Sequence, residues 1–147
     1  MKALNTAVSR KNICELEAVI AQLPDQIDPD APITHHFAAG VYGRQMDLQK
    51  GSVVVGKIHR FDILNIITHG AVRVASEFCS EIITGPKIWV SKAGTKRAIY
   101  AIEDTQWITV HANESDTRDL GKIEDFVIAP DYNSLDIYLS EKLECTA

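Results

Sequence analysis

Between residues 33 and 112 the chain is a succession of short β-rich runs, too closely spaced to hold crossover helices. The runs read ITHHFAAGVYGRQMDL, SVVVGKIHRF, ILNIITHGAVRVAS, SEIITG, KIWVSK, RAIYAIED and QWITVHAN. Turn signals separate them at Lys50-Gly51, His69-Gly70, Thr84-Gly85-Pro86, Ala93-Gly94 and Glu103-Asp104. Without crossover helices the strands must pair antiparallel, which leaves a sandwich or a barrel. The runs around Ile66 and Ile108 are apolar on both faces in places, which suits a barrel partly covered from outside.

The flanks read differently. Asn12 and Glu15 resemble a helix start signal, Ile13, Leu16, Ile20 and Leu23 follow at helical spacing, and Pro24 stops the pattern. Residues 25–32, with three acids and two prolines, read as a linker. Beyond the β-rich zone, Asp116 precedes the helical pattern Leu120, Ile123, Val127, which Pro130 closes. The last segment, SLDIYLSEKL, puts Leu135, Tyr138 and Leu139 on one helical face, with a strand as the alternative. The organisation expected is an N-terminal helical arm and linker over 1–32, a β-barrel over 33–112 and a C-terminal helical arm over 113–147.

Fifteen basic against 20 acidic residues give a net charge of −5. A protein that coats nucleic acid needs the opposite balance, so nucleic acid is an unlikely partner. No stretch of 18 apolar residues occurs, which argues against a membrane helix, and the start MKALNTAVSRKN lacks a signal-peptide core. A cytoplasmic protein is expected. Cys14, Cys79 and Cys145 form no Cys-x-x-Cys and read as reduced thiols.

Five histidines are the first candidates for chemistry. His35 and His36 are adjacent, so on a strand they point to opposite faces. His69 sits at a turn. His59 shares a strand face with Phe61, Ile63 and Asn65, and His111 shares one with Thr109 and Trp107. Neither His-x-His nor His-Glu-x-x-His is present. Lys92, Lys96 and Arg97 around Gly94 could make a small anion-binding loop, although such charges are commonly plain surface. Trp89 and Trp107 read as core or interface anchors, and Gly40 and Gly43 as a bulge or a close backbone approach.

The stretches GSVVVGKIHRFDILNIITHG and GPKIWVSKAGTKRAIYAIEDTQWITVHAN resemble the two motifs of the cupin superfamily, most nearly the small cupin-like proteins of tailed bacteriophages. In the first motif His59 takes the first histidine position, Phe61 the second and Asn65 the glutamate position, with Gly70 closing it. In the second, Gly85 opens, Lys92-Ala93-Gly94 replaces Pro-x-Gly, and Arg97 stands where a histidine is usual. The resemblance implies an all-β, cupin-like jelly-roll barrel with a flanking N-terminal helix and a C-terminal helical arm. Of the four metal-ligand positions only His59 keeps its residue. Phenylalanine cannot bind a cation and arginine repels one, so neither a metal nor another cofactor is expected. The same alignment points His59, Asn65 and Arg97 into one barrel end, with His111 nearby, as candidate ligand-binding residues. Arg97 would grip a phosphate or carboxylate bidentately, or else pair with a carboxylate of the protein.

Three functions are compatible with this reading. The first is a non-enzymatic, phage-encoded virion or assembly component in the host cytoplasm. It would act through a homo-oligomer, a two-fold dimer by default, and through other virion proteins. The second is a metal-independent cupin that binds or converts a small anionic ligand of the sugar-nucleotide or acid class. The third is a host-directed inhibitor. For catalysis a second group is missing, since Tyr100 lies on the opposite strand face from Arg97.

Overall fold

The structure is a computed structural model, and residues 2–22, 33–77 and 80–145 are described. Helix α1 (Lys2–Ile20) precedes ten strands: β1 (Ile33–Ala38), β2 (Val41–Leu48), β3 (Val53–Val55), β4 (Ile58–His59), β5 (Ile63–His69), β6 (Ala71–Ser76), β7 (Ser80–Thr84), β8 (Lys87–Ser91), β9 (Arg97–Ala101) and β10 (Thr105–Ala112). Helix α2 (Leu120–Val127), strand β11 (Ile128–Ala129) and helix α3 (Tyr132–Cys145) follow. One sheet has the order β1-β2-β10-β5-β8 and the other β3-β9-β6-β7, while β4 pairs with β11. Every pairing is antiparallel. The two sheets enclose Met46, Leu48, Ile67, Val72, Val74, Ile83, Ile99, Ala101 and Trp107 as one apolar core. This is the expected all-β jelly-roll barrel with helical flanks.

The expected turns fall where glycine permits them. Gly51, Gly70 and Gly94 all have positive φ. Gly70 is the most constrained: a Cβ there would lie 2.3 Å from Thr105 Oγ1 and 2.4 Å from the Asp104 carbonyl oxygen. The first β-rich run is not one strand. It folds back at Ala39-Gly40, with Gly40 at φ +71°, into the β1–β2 hairpin. There Gly43 lets His36 approach, a Cβ on it coming 3.4 Å from that of His36. The second run breaks at Gly56-Lys57, so that β3 joins β9 while β4 leaves to meet β11.

The flanks also correct the sequence reading. Asn12 is mid-helix rather than a cap, because no proline or glycine interrupts residues 2–20 and α1 already runs from Lys2. Ile13 is buried and Leu16 exposed. The Ile20 side chain, Leu23 and residues 25–32 lie outside what is described. The cap of α2 is Asp119, whose carboxylate accepts from the Gly121 and Lys122 backbone amides. Asp116 instead adopts φ +49° and accepts from the Gly40 amide at 2.6 Å, tying this loop to the hairpin. Ile123 and Val127 bury against Tyr42, and Leu120 is exposed. The final segment is a helix, with Leu135 buried against Ile58 and Ala129.

On the outer face of the larger sheet, Leu64 faces Val90 and Val110 in register, and Ile66 faces Ile88 and Ile108. Of these six aliphatic residues, Leu64, Ile88 and Val90 are well exposed. The stretches apolar on both faces are therefore real, and among the described residues nothing covers the outer one.

Candidate functional site

The barrel interior is graded from apolar to polar because the two central strands are themselves graded. Along β2 one face carries Tyr42, Arg44, Met46 and Leu48, and along β10 one carries Thr105, Trp107, Thr109 and His111. Antiparallel register sets Tyr42 opposite His111 and Arg44 opposite Thr109, away from the Leu48 and Trp107 end. β4 adds His59 and the start of β9 adds Arg97. The His59 and His111 rings lie 5.4 Å apart, His111 and Tyr42 5.7 Å, and Tyr42 and His35 5.9 Å. The His35 Nδ1 is 2.8 Å from the Tyr42 hydroxyl, and His111 Nε2 is 3.0 Å from Thr109 Oγ1.

Burial pushes His59 down to about 3, helped by His111 and by the positive charges of Arg97, Arg44 and Lys57. Burial likewise lowers His111 to about 4, with Arg44 contributing. Both imidazoles are neutral at neutral pH, where each offers one donor and one acceptor. The fixed charges near them are those of Arg44, Arg97 and Lys57.

The structure brings three of the four expected site residues together: His59, His111 and Arg97. The fourth, Asn65, is fully buried and committed to the wall. Its amide donates to the Ile63 carbonyl at 3.0 Å and to Ser91 Oγ at 2.5 Å, and its oxygen accepts from Trp107 Nε1 at 3.1 Å. It rivets β5 to β8 and β10 instead of facing a ligand. Phe61, at the second histidine position of the motif, packs on Phe126 and Tyr138 of the C-terminal helices. Tyr42 and Arg44 lie upstream of the motif, outside the reach of its spacing. The period-two alternation of Tyr42, Arg44, Met46 and Leu48 was the available signal.

The loop before Arg97 is pinned to the loop after His59. Asp62 accepts from Lys92 Nζ at 2.8 Å and from the Ala93 amide at 2.9 Å, which holds its carboxyl below the usual range. The Gly94 amide donates to the His59 carbonyl at 2.8 Å. Gly94 has φ +83°, and a Cβ there would come 2.9 Å from Leu135 Cδ2. Lys92 is thus paired with Asp62, and Lys96 with Glu17, so the three cations around Gly94 do not form one anion-binding loop. Among the described residues no three His, Cys, Asp or Glu side chains gather as a metal site.

No protein-family model and no curated protein matches the sequence. Among solved structures, a cupin-2 conserved barrel domain protein from Salinispora arenicola superposes with TM-score 0.50 at 11% identity. The match covers 67% of this chain and 88% of that one. The fold is a cupin fold. KdgF from Halomonas sp. matches with TM-score 0.49 and 19% identity over 66% of this chain and 92% of that one. The Clostridium difficile EutQ protein gives 0.48 and 12% over 61% and 77%. At these identities the likeness speaks for the cupin barrel alone, and the neighbours lend no support to a bacteriophage origin. No described helix is long and apolar enough to cross a membrane.

Proposed function

We propose that the protein is a metal-independent cupin that binds a small anion, a phosphate or carboxylate, at the polar end of the barrel. The carrying observation is the clustering of polar groups at one barrel end, where the His59 and His111 rings lie 5.4 Å apart, His111 and Tyr42 5.7 Å, and register sets Arg44 opposite Thr109. The end of the barrel holding His59, His111, Tyr42 and Thr109 therefore has two guanidiniums nearby that keep their charge at any working pH, beside neutral hydrogen-bonding partners. Binding is favoured over catalysis by the same chemistry. A general base works best with a pKa near the operating pH, and imidazoles held at about 3 and about 4 are weak bases at neutrality. The virion-component and host-inhibitor readings have no comparable observation behind them.

Calorimetric titration with inorganic phosphate and with malonate tests this. One of the two should bind saturably, with an affinity that does not follow histidine ionisation between pH 6 and 8. Arg97→Gln and Arg44→Gln should each weaken binding by roughly 10- to 100-fold, the worth of a hydrogen bond to a charged group. No saturable binding, or variants that bind as the parent does, would overturn the reading.

The assembly is proposed to be a two-fold homodimer. Ile13, Ile123 and Val127 of the flanking helices are buried within the chain itself, so they do not call for a partner. The aliphatic rows of β5, β8 and β10, beside the free edge of β8, do. Light scattering should give twice the 16.3 kDa chain mass at micromolar concentration. The double variant Ile88→Lys, Val90→Lys should give a folded monomer, whereas a monomeric parent would sink the proposal.

A further inference from the structure

We propose that α1 is a detachable strap, latched beside Arg97 by two ion pairs, and that it opens while the barrel stays folded. α1 packs against β3 and β6. Of its described side chains only Ile13 is buried, and Leu16 and Val19 face outward. Over residues 10–19 the remaining grip is polar. Arg10 Nε donates to Glu77 Oε2 at 2.5 Å, and Lys96 Nζ donates to Glu17 Oε2 at 2.5 Å. The Arg10 guanidinium also lies 4.2 Å over the Tyr132 ring and 3.7 Å from Asp136.

The two latches share an asymmetry. Their barrel-side members are sunk, with side chains 1% exposed for Glu77 and 8% for Lys96, while their helix-side members remain 30% exposed for Arg10 and 45% for Glu17. The sunken side is also incompletely satisfied. Glu77 Oε1 and the Tyr132 hydroxyl are buried without a hydrogen-bond partner. Burial and the nearby Glu77 push the Tyr132 hydroxyl up to about 12. A buried ion pair gains little over its hydrated parts, and an unpartnered polar atom costs stability. Lifting α1 returns Glu77, Lys96 and Tyr132 to water, so closing is only narrowly favourable, as an opening segment requires.

Position makes this more than a loose helix. Glu77 directly follows Ser76, which is the register partner of Arg97, and Lys96 directly precedes Arg97. The latches therefore bracket the Arg97 corner of the barrel, and opening changes the surroundings of that arginine first. The inference stands on the latch geometry and needs no ligand.

Hydrogen–deuterium exchange of the full chain, read by mass spectrometry, tests it. In the parent, amides of α1 should exchange at least 100-fold faster than those of β5 and β10, and faster again when sodium chloride is raised to 0.5 M. Glu77→Gln and Arg10→Gln should each speed α1 exchange by about tenfold and leave β5 and β10 unchanged. Arg10→Gln alters only the helix side, so it decides the matter if Glu77→Gln disturbs the barrel. Exchange of α1 at the barrel's own rate would overturn the strap. Fast exchange indifferent to Arg10→Gln and to salt would overturn the latch.

Discussion

Replacing Asn65 with alanine should lower the stability of the barrel by about 3–4 kcal/mol, the sum of lost hydrogen bonds and a small cavity. The amide is fully buried and serves three partners at once. Its removal leaves Trp107 Nε1 without an acceptor inside the core, where water cannot substitute. Asn65→Leu fills the space and still strands the same groups, so it should recover less than half of the loss. Urea unfolding midpoints of the three proteins measure this. A loss below 1 kcal/mol for alanine would show that the network contributes little beyond shape.

Acid should unfold the protein through its two interior histidines. His59 titrates at about 3 and His111 at about 4 in the folded chain, against an ordinary value of 6.5. As pH falls below 6.5 the unfolded chain takes up protons that the folded chain refuses. The stabilising contribution is thus complete above about pH 6.5 and is lost progressively down to about pH 3. By pH 4 the loss is on the order of 3 kcal/mol per histidine, at 1.36 kcal/mol per pKa unit. Thermal unfolding between pH 4 and 8 should show the slope, and His111→Gln should roughly halve it. Ring proton resonances of His59 and His111 that titrate near 6.5 would contradict the account.

What the sequence made legible was punctuation and period. Gly51, Gly70 and Gly94 mark turns because each adopts a conformation that side chains resist, and that requirement is local. Ile123 and Val127 disclose a buried helix face for the same local reason. The β1–β2 hairpin was harder, since ITHHFAAGVYGRQMDL remains apolar through its own turn at Ala39-Gly40. Asn65 shows where local reasoning ends. Its type suits a ligand site, and only the arrival of Ser91 and Trp107 from other strands turns it into a core rivet. Arg97 and His59 could be placed from motif spacing, whereas Arg44 enters the same end of the barrel through the register of β2 with β10. The latch pairs Arg10–Glu77 and Lys96–Glu17 join distant parts of the chain and leave no mark in either segment.

The pairing of β4 with β11 places a demand on the order of synthesis. Ile58 and His59 leave the ribosome early, yet their strand partners Ile128 and Ala129 emerge only after the ten preceding strands are complete. The β1–β2 hairpin can close locally, but β2 finds its second neighbour only in β10. A nascent chain halted before β11 can therefore close most of both sheets while His59, bonded through its carbonyl to the Gly94 amide, still lacks its strand partner Ile128. Such long-range closure slows folding and keeps apolar edges open in the meantime. The strand carrying His59 is accordingly completed only by β11, after β10, which carries His111, can already be paired on both sides.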